Sequence, residues 1–198
     1  PATGTWTLEA ALATPRERHT AILLPSGFVL IAGGLNSSND VATAELYDPA
    51  AGYWTSAGPL LASHNGHAAT SLANGEVLVA GGVDGNFLNI AERYDPSTAT
   101  WVATGALATP RATFTATRLW SGQVVAVGGQ NASGSLASVE IYDPSARRWT
   151  AGVSVPGDRF QHTATLLASG QLLVAGGFST VSGATLDTAA TFDPSTAT

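Results

Sequence analysis

Residues 76–101, EVLVAGGVDGNFLNIAERYDPSTATW, decide the fold, because each landmark in them returns at a nearly fixed distance elsewhere in the chain. Gly81-Gly82 is one of four such pairs, with Gly33-Gly34, Gly128-Gly129 and Gly176-Gly177, at intervals of 48, 47 and 48 residues. Trp101 keeps step with Trp6, Trp54 and Trp149, and Tyr94-Asp95-Pro96 with Tyr47-Asp48-Pro49, Tyr142-Asp143-Pro144 and the variant Phe192-Asp193-Pro194. A period of this length means one supersecondary unit repeated, each unit burying its apolar faces against its neighbours.

Within a unit the local grammar is β. Thr20 to Leu24 and Phe28 to Ala32 are apolar runs separated by Pro25-Ser26-Gly27, and the later units place Asn74-Gly75, Ser121-Gly122 and Ser169-Gly170 there. Such pairs tolerate the positive φ of tight hairpins, so the first two strands pair. The double Gly ends the second strand, a place where backbone approaches closely or turns. A polar loop of variable length follows. A third strand such as Thr43 to Tyr47 stops at Asp-Pro, and the fourth carries the Trp. Four short strands per unit, without helical periodicity, describe a propeller blade.

Composition fits one folded domain: 198 residues, 11% charged, 44% hydrophobic and 22 Gly. The net charge is −6, and the eight positive residues are all Arg and scattered, which argues against nucleic acid. No Cys is present, so disulfides and thiolate metal sites are excluded. No apolar run approaches the ~20 residues of a membrane helix.

These features together, an Arg and small-polar-His start, a strand ending in Gly-Gly, a Tyr-Asp-Pro and a spaced Trp, resemble the kelch repeat over essentially the whole chain. The resemblance implies an all-β kelch-type β-propeller of four blades of four antiparallel strands. The expected blades are 11–58, 59–105, 106–153 and 154–198, with segment 1–10 as the fourth strand of the last blade. That closure gives a monomer. Two other arrangements stay open: a dimer exchanging the terminal strand to make an eight-bladed ring, and a fragment of a longer propeller.

Ten residues after each Trp stand Arg16, His64, Arg111 and Arg159. The resemblance places this position near the mouth of the central channel, where Arg holds acidic peptide segments in related adaptors. Arg suits carboxylates through its planar fork. The competing reading is that each Arg pairs with a nearby carboxylate or carbonyl and holds the structure together. On the same face the loops after Gly-Gly bring Asn36 and Asp40, then Asp84, Asn86 and Phe87, then Asn131, and finally Phe178, as further ligand-binding candidates.

His19, His67 and His162 recur three residues later, with Phe114 in the fourth slot. Three imidazoles suit copper or zinc, but an aromatic hydrocarbon at the equivalent position argues for packing. A copper oxidase on a similar scaffold needs a Tyr joined to Cys, which this chain lacks. Glu45 with Asp48, Glu92 with Asp95 and Glu140 with Asp143 belong to the repeat. No nucleophile elbow, phosphate loop or zinc-protease motif is present. The expectation is therefore a scaffold binding a protein segment or glycan, with no enzyme activity, metal or cofactor. The composition resembles exported or surface proteins, so an extracellular or cell-surface location is expected. The alternatives are the propeller part of a carbohydrate-active enzyme and a purely structural unit.

Overall fold

The computed structural model describes residues 4–37 and 39–196. The extremities of the expected first and last segments, 1–3 and 197–198, lie outside the described residues, as does Ser38. Secondary structure is all β, without a helix among the described residues. Blade one comprises Thr20–Leu23, Val29–Ala32, Thr43–Asp48 and Tyr53–Pro59, paired antiparallel in sequence order. Blade two comprises Ala68–Ser71, Val77–Ala80, Ala91–Asp95 and Thr100–Ala103. Blade three comprises Thr115–Arg118, Val124–Val127, Val139–Asp143 and Arg148–Ala151. The fourth sheet has three strands: Thr163–Leu166, Leu172–Ala175 and Ala189–Phe192.

Sheets stack face to face, first strand near first strand, from blade one through blade four. The second strands show why. Val77–Ala80 and Val124–Val127 are buried at every position, since both of their faces meet a neighbouring sheet. Leu172–Ala175 keeps an alternating pattern because a sheet lies on one side only. The apolar core accordingly falls into three clusters, one per junction: Leu30, Val77 and Trp101 in the first, Leu78, Val124 and Tyr142 in the second, Val125, Leu172 and Val174 in the third.

The double Gly is explained by this stacking. A Cβ on Gly81, whose φ is +62°, would stand 2.4 Å from the Arg111 carbonyl oxygen of the next blade. The adjacent Gly82 N–H donates to that same oxygen at 2.8 Å. In blades one to three the Tyr and Trp face one another across the third and fourth strands, with ring centroids 4.9–5.1 Å apart.

The expected closure by the amino-terminal strand is not formed among the described residues. Residues 4–10 pair with no sheet among the described residues, and Trp6 and Leu8 are fully exposed. Their end lies on blade one instead: Trp54 Nε1 donates to the Ala10 carbonyl at 2.9 Å, and Tyr47 Oη to Glu9 at 2.8 Å. The reason is continuity. Trp101 reaches the Ala57 carbonyl of blade one's outer strand in the same way, so residues 4–10 stand where the outer strand of a preceding sheet would be. Contacts between first strands run from blade one to two, two to three and three to four.

Candidate functional site

The side chains of Arg16, His64, Arg111 and Arg159, ten residues after each repeat Trp, are engaged by groups of their own blades, the second of the two readings that the sequence left open. Arg111 is fully buried. It donates to Thr109, Gly128 and Ser138 carbonyls at 3.4, 2.8 and 3.0 Å, to Ser138 Oγ at 3.0 Å and to Glu140 Oε1 at 2.7 Å. Burial lowers its pKa from the ordinary value, while the Glu140 charge works in the opposite direction. Arg16 repeats the arrangement on Thr14, Gly33, Thr43 and Glu45. In blade two His64 spans the same two acceptors, Gly81 carbonyl at 2.6 Å and Glu92 at 2.9 Å.

The carboxylate in each case also accepts two backbone N–H groups from the segment leading into its blade: Ala13 and Thr14 on Glu45, Leu61 and Ala62 on Glu92, Ala108 and Thr109 on Glu140. A buried charge must be paired in this way, so the repeated Glu serves the blade. Blade four departs from the pattern. Ala190 occupies the register position of Glu140, and Arg159 turns to Pro156 and Thr188 oxygens at 2.9–3.3 Å.

The recurring histidines also bind blades to one another. His67 Nε2 lies 2.8 Å from Thr20 Oγ1 of blade one, and His162 Nε2 lies 3.0 Å from Thr115 Oγ1 of blade three. Burial, reinforced by the neighbouring His64 charge, pushes the His67 pKa down to about 3. Burial beside Arg159 takes His162 to about 4. Phe114 fills its slot as core. No cluster of three His, Asp or Glu groups able to hold a metal occurs among the described residues.

The loops after Gly-Gly come together on one face. Three of them fold as short hairpins: Val83–Asp84 with Asn86–Phe87, Gln130–Asn131 with Gly134–Ser135, and Phe178–Ser179 with Ala184–Thr185. They are locked to their neighbours. Asp40 accepts the Gly85 N–H at 3.3 Å, linking blades one and two. Ser135 and Thr180 exchange backbone and hydroxyl hydrogen bonds at 2.8 Å, linking blades three and four. Asp158 joins Ser135 and Ser179 below them; burial opposes its charge, but these hydroxyls outweigh burial and hold the carboxyl below its ordinary range.

Of the loop candidates, Asp84 and Asn86 are exposed, and Asn36, Asp40, Phe87, Asn131 and Phe178 are half-buried. Asn36 caps its own loop by accepting the Asn39 N–H at 2.8 Å. Phe178 rests edge-on against Phe160, 5.6 Å between centroids. A residue that repeat reasoning passed over is Trp120. It is the one Trp out of period, it replaces Pro25, Ala73 and Ala168 of the other hairpins, and it is 75% exposed. It rims a groove on the opposite, hairpin-turn face, lined by Ser121, Gln123, Ser169, Asp193 and Ser195.

The kelch motif family matches residues 65–104 and 114–156. Among solved structures, that of YjhT superposes with a TM-score of 0.74 at 20% sequence identity, over 87% of this chain and 63% of that one. The chain therefore spans less than two thirds of that protein's length, and at this identity the likeness concerns fold. No curated protein sequence matches.

Proposed function

From the kelch motif matched over residues 65–104 and 114–156, we propose that the chain is a non-catalytic recognition scaffold whose ligand is a protein segment held on the face of the post-Gly-Gly loops. Kelch repeats generally mediate protein binding. The observation that carries the reading is a division of labour. The buried charges are spent inside the blades, on Glu45, Glu92 and Glu140, whereas the loops differ from blade to blade and are braced in two pairs, blade one with two and blade three with four. A braced loop surface binds without first having to be ordered, which is the general advantage of preorganisation. Asp84 and Asn86 offer hydrogen-bonding groups there, and Phe87 and Phe178 offer apolar edges.

A glycan is the second reading, and Trp120 favours it. An exposed indole beside Gln123, Asp193 and two serines combines a flat apolar platform with hydrogen-bonding groups, the pairing that suits a sugar ring. One screen separates the two. The folded chain is applied to peptide and glycan arrays beside the variants Asp84→Ala/Asn86→Ala and Trp120→Ala. Peptide hits lost only in the loop variant, with melting unchanged, support the leading reading. Glycan hits lost only with Trp120→Ala favour the second, and hits indifferent to both variants overturn both.

A further inference from the structure

We infer that the groove between blades three and four on the hairpin-turn face is a subsite for an uncharged sugar ring, separate from the loop platform; this rests on the glycan reading of Trp120 and narrows it to a chemical class. The repeat itself supplies the control. The first turn residue of a hairpin seats against the turn Gly of the following blade: a Cβ on Gly75 would meet Pro25 at 3.6 Å, one on Gly122 would meet Ala73 at 3.9 Å, and one on Gly170 would meet Trp120 Cδ1 at 3.5 Å. The methyl group of Ala73 is enough for that contact. In blade three an indole makes it, and 75% of Trp120 is left in water. An aromatic ring steadied at one edge and open over most of its surface is a stacking platform.

The groove belongs to the blade junction as such. Between blades one and two the same elements enclose Pro25, Ser26, Asn74, Gly75 and Asp95, and Ser97 donates to Asp95 there as Ser195 does to Asp193. What changes is the chemistry of the rim. Trp120 stands where blade one has Pro25, and Gln123, whose carbonyl closes the same turn, stands where blade one has Phe28. The groove of about 340 Å³ therefore surrounds its apolar platform with the hydroxyl and amide groups of Ser121, Gln123, Ser169 and Ser195. A sugar ring has the complementary surface, a C–H face bounded by hydroxyls.

Charge selects among sugars. Among the described residues that line the groove, Asp193 is the only charged one. The Ser195 hydroxyl and N–H donate to its Oδ1 at 2.6 and 2.9 Å and hold the carboxyl below its ordinary range. Its Oδ2 takes a long 3.5 Å bond from Gln171, which leaves it capacity for a sugar hydroxyl. An acidic sugar would set a second carboxylate beside Asp193 with no Arg in the lining to answer it. Several neutral hydrogen-bonding groups around one carboxylate also suit a polyol better than a compact cation.

The test is an NMR titration of the folded chain that follows the Trp120 indole N–H, assigned by its loss in Trp120→Ala. The probes are methyl glycosides of glucose, galactose and mannose, the matching methyl uronides, and tetramethylammonium. Both variants used are compatible with the fold: Ala73 and Ala168 already hold the Trp120 position, and Asp193→Asn keeps an oxygen for the Ser195 N–H. An uncharged glycoside should shift the Trp120 signal at about millimolar concentration and lose at least ~10-fold in affinity in Trp120→Ala, read by saturation transfer to the sugar protons. Its uronide should bind about 5–10-fold more weakly to the parent, and Asp193→Asn should bring the two within about twofold. Uronides that bind at Trp120 as well as the uncharged glycosides, or better, overturn the sugar class and leave the glycan reading standing. Sugar binding indifferent to Trp120→Ala overturns the subsite. A Trp120 signal that answers to tetramethylammonium alone, or to no probe, removes the inference and the glycan reading together.

Discussion

Replacing the first glycine of the pair by alanine tests the blade junction, because the same substitution collides with the next blade at Gly81 and meets only an ordinary contact, Leu186 O at 3.7 Å, at Gly176. Gly81 and Gly176 have φ of +62° and +68°, so alanine carries the same left-handed strain at both, about 1–2 kcal/mol. At Gly81 the new Cβ also stands 2.4 Å from Arg111 O and 2.8 Å from the Phe114 ring. Relieving that contact means moving blade three away, at an overpacking cost of roughly 1–3 kcal/mol. It also stretches the 2.8 Å Gly82 to Arg111 hydrogen bond, worth about 1 kcal/mol. Gly81→Ala should therefore cost about 3–6 kcal/mol and Gly176→Ala about 1–2. With a urea slope of about 2 kcal/mol/M, the midpoints fall by about 1.5–3 M and about 0.5–1 M. Equal losses would refute the reasoning and reduce the glycines to a local chain requirement.

Glu140→Ala should destabilise by about 3–5 kcal/mol by stranding the buried Arg111 guanidinium, with Glu140→Gln milder; urea unfolding reads both, and a neutral Glu140→Ala would contradict the structural role of the pair. Acid stability carries a histidine signature. The folded pKa of His67 is about 3 against 6.5 for an unperturbed histidine, so below pH 6.5 the unfolded chain takes up a proton that the folded chain refuses. Stability therefore falls as pH drops from 6.5 towards 3, by about 1.4 kcal/mol per pH unit from this group, and His162 acts in the same direction down to about 4. His67→Phe, the residue type blade three already uses at Phe114, should flatten that limb by about one proton; an unchanged slope would rule out the buried neutral imidazole.

Sequence alone determined what depends on local chemistry and on the period. Gly-Gly, Tyr-Asp-Pro and Trp recur because each blade must turn, stop and pack in the same way, so strand number, strand order within blades one to three and the all-β kelch class were legible before any coordinates. The packing reading of His67 and His162 was legible too, from Phe114 in the same slot. For Arg16, Arg111 and Arg159 the sequence left two readings open, a channel-mouth ring and structural pairing. An Arg facing a channel and an Arg folded under its own blade have the same sequence spacing, and only the position of Glu45 or Glu140 across the sheet, 29 residues away, selects between them. Arc or closed ring was also beyond the sequence. A strand that completes a sheet looks the same in sequence whichever sheet it completes, and its partner is set by the angle between successive blades, a quantity that exists only once the sheets have stacked.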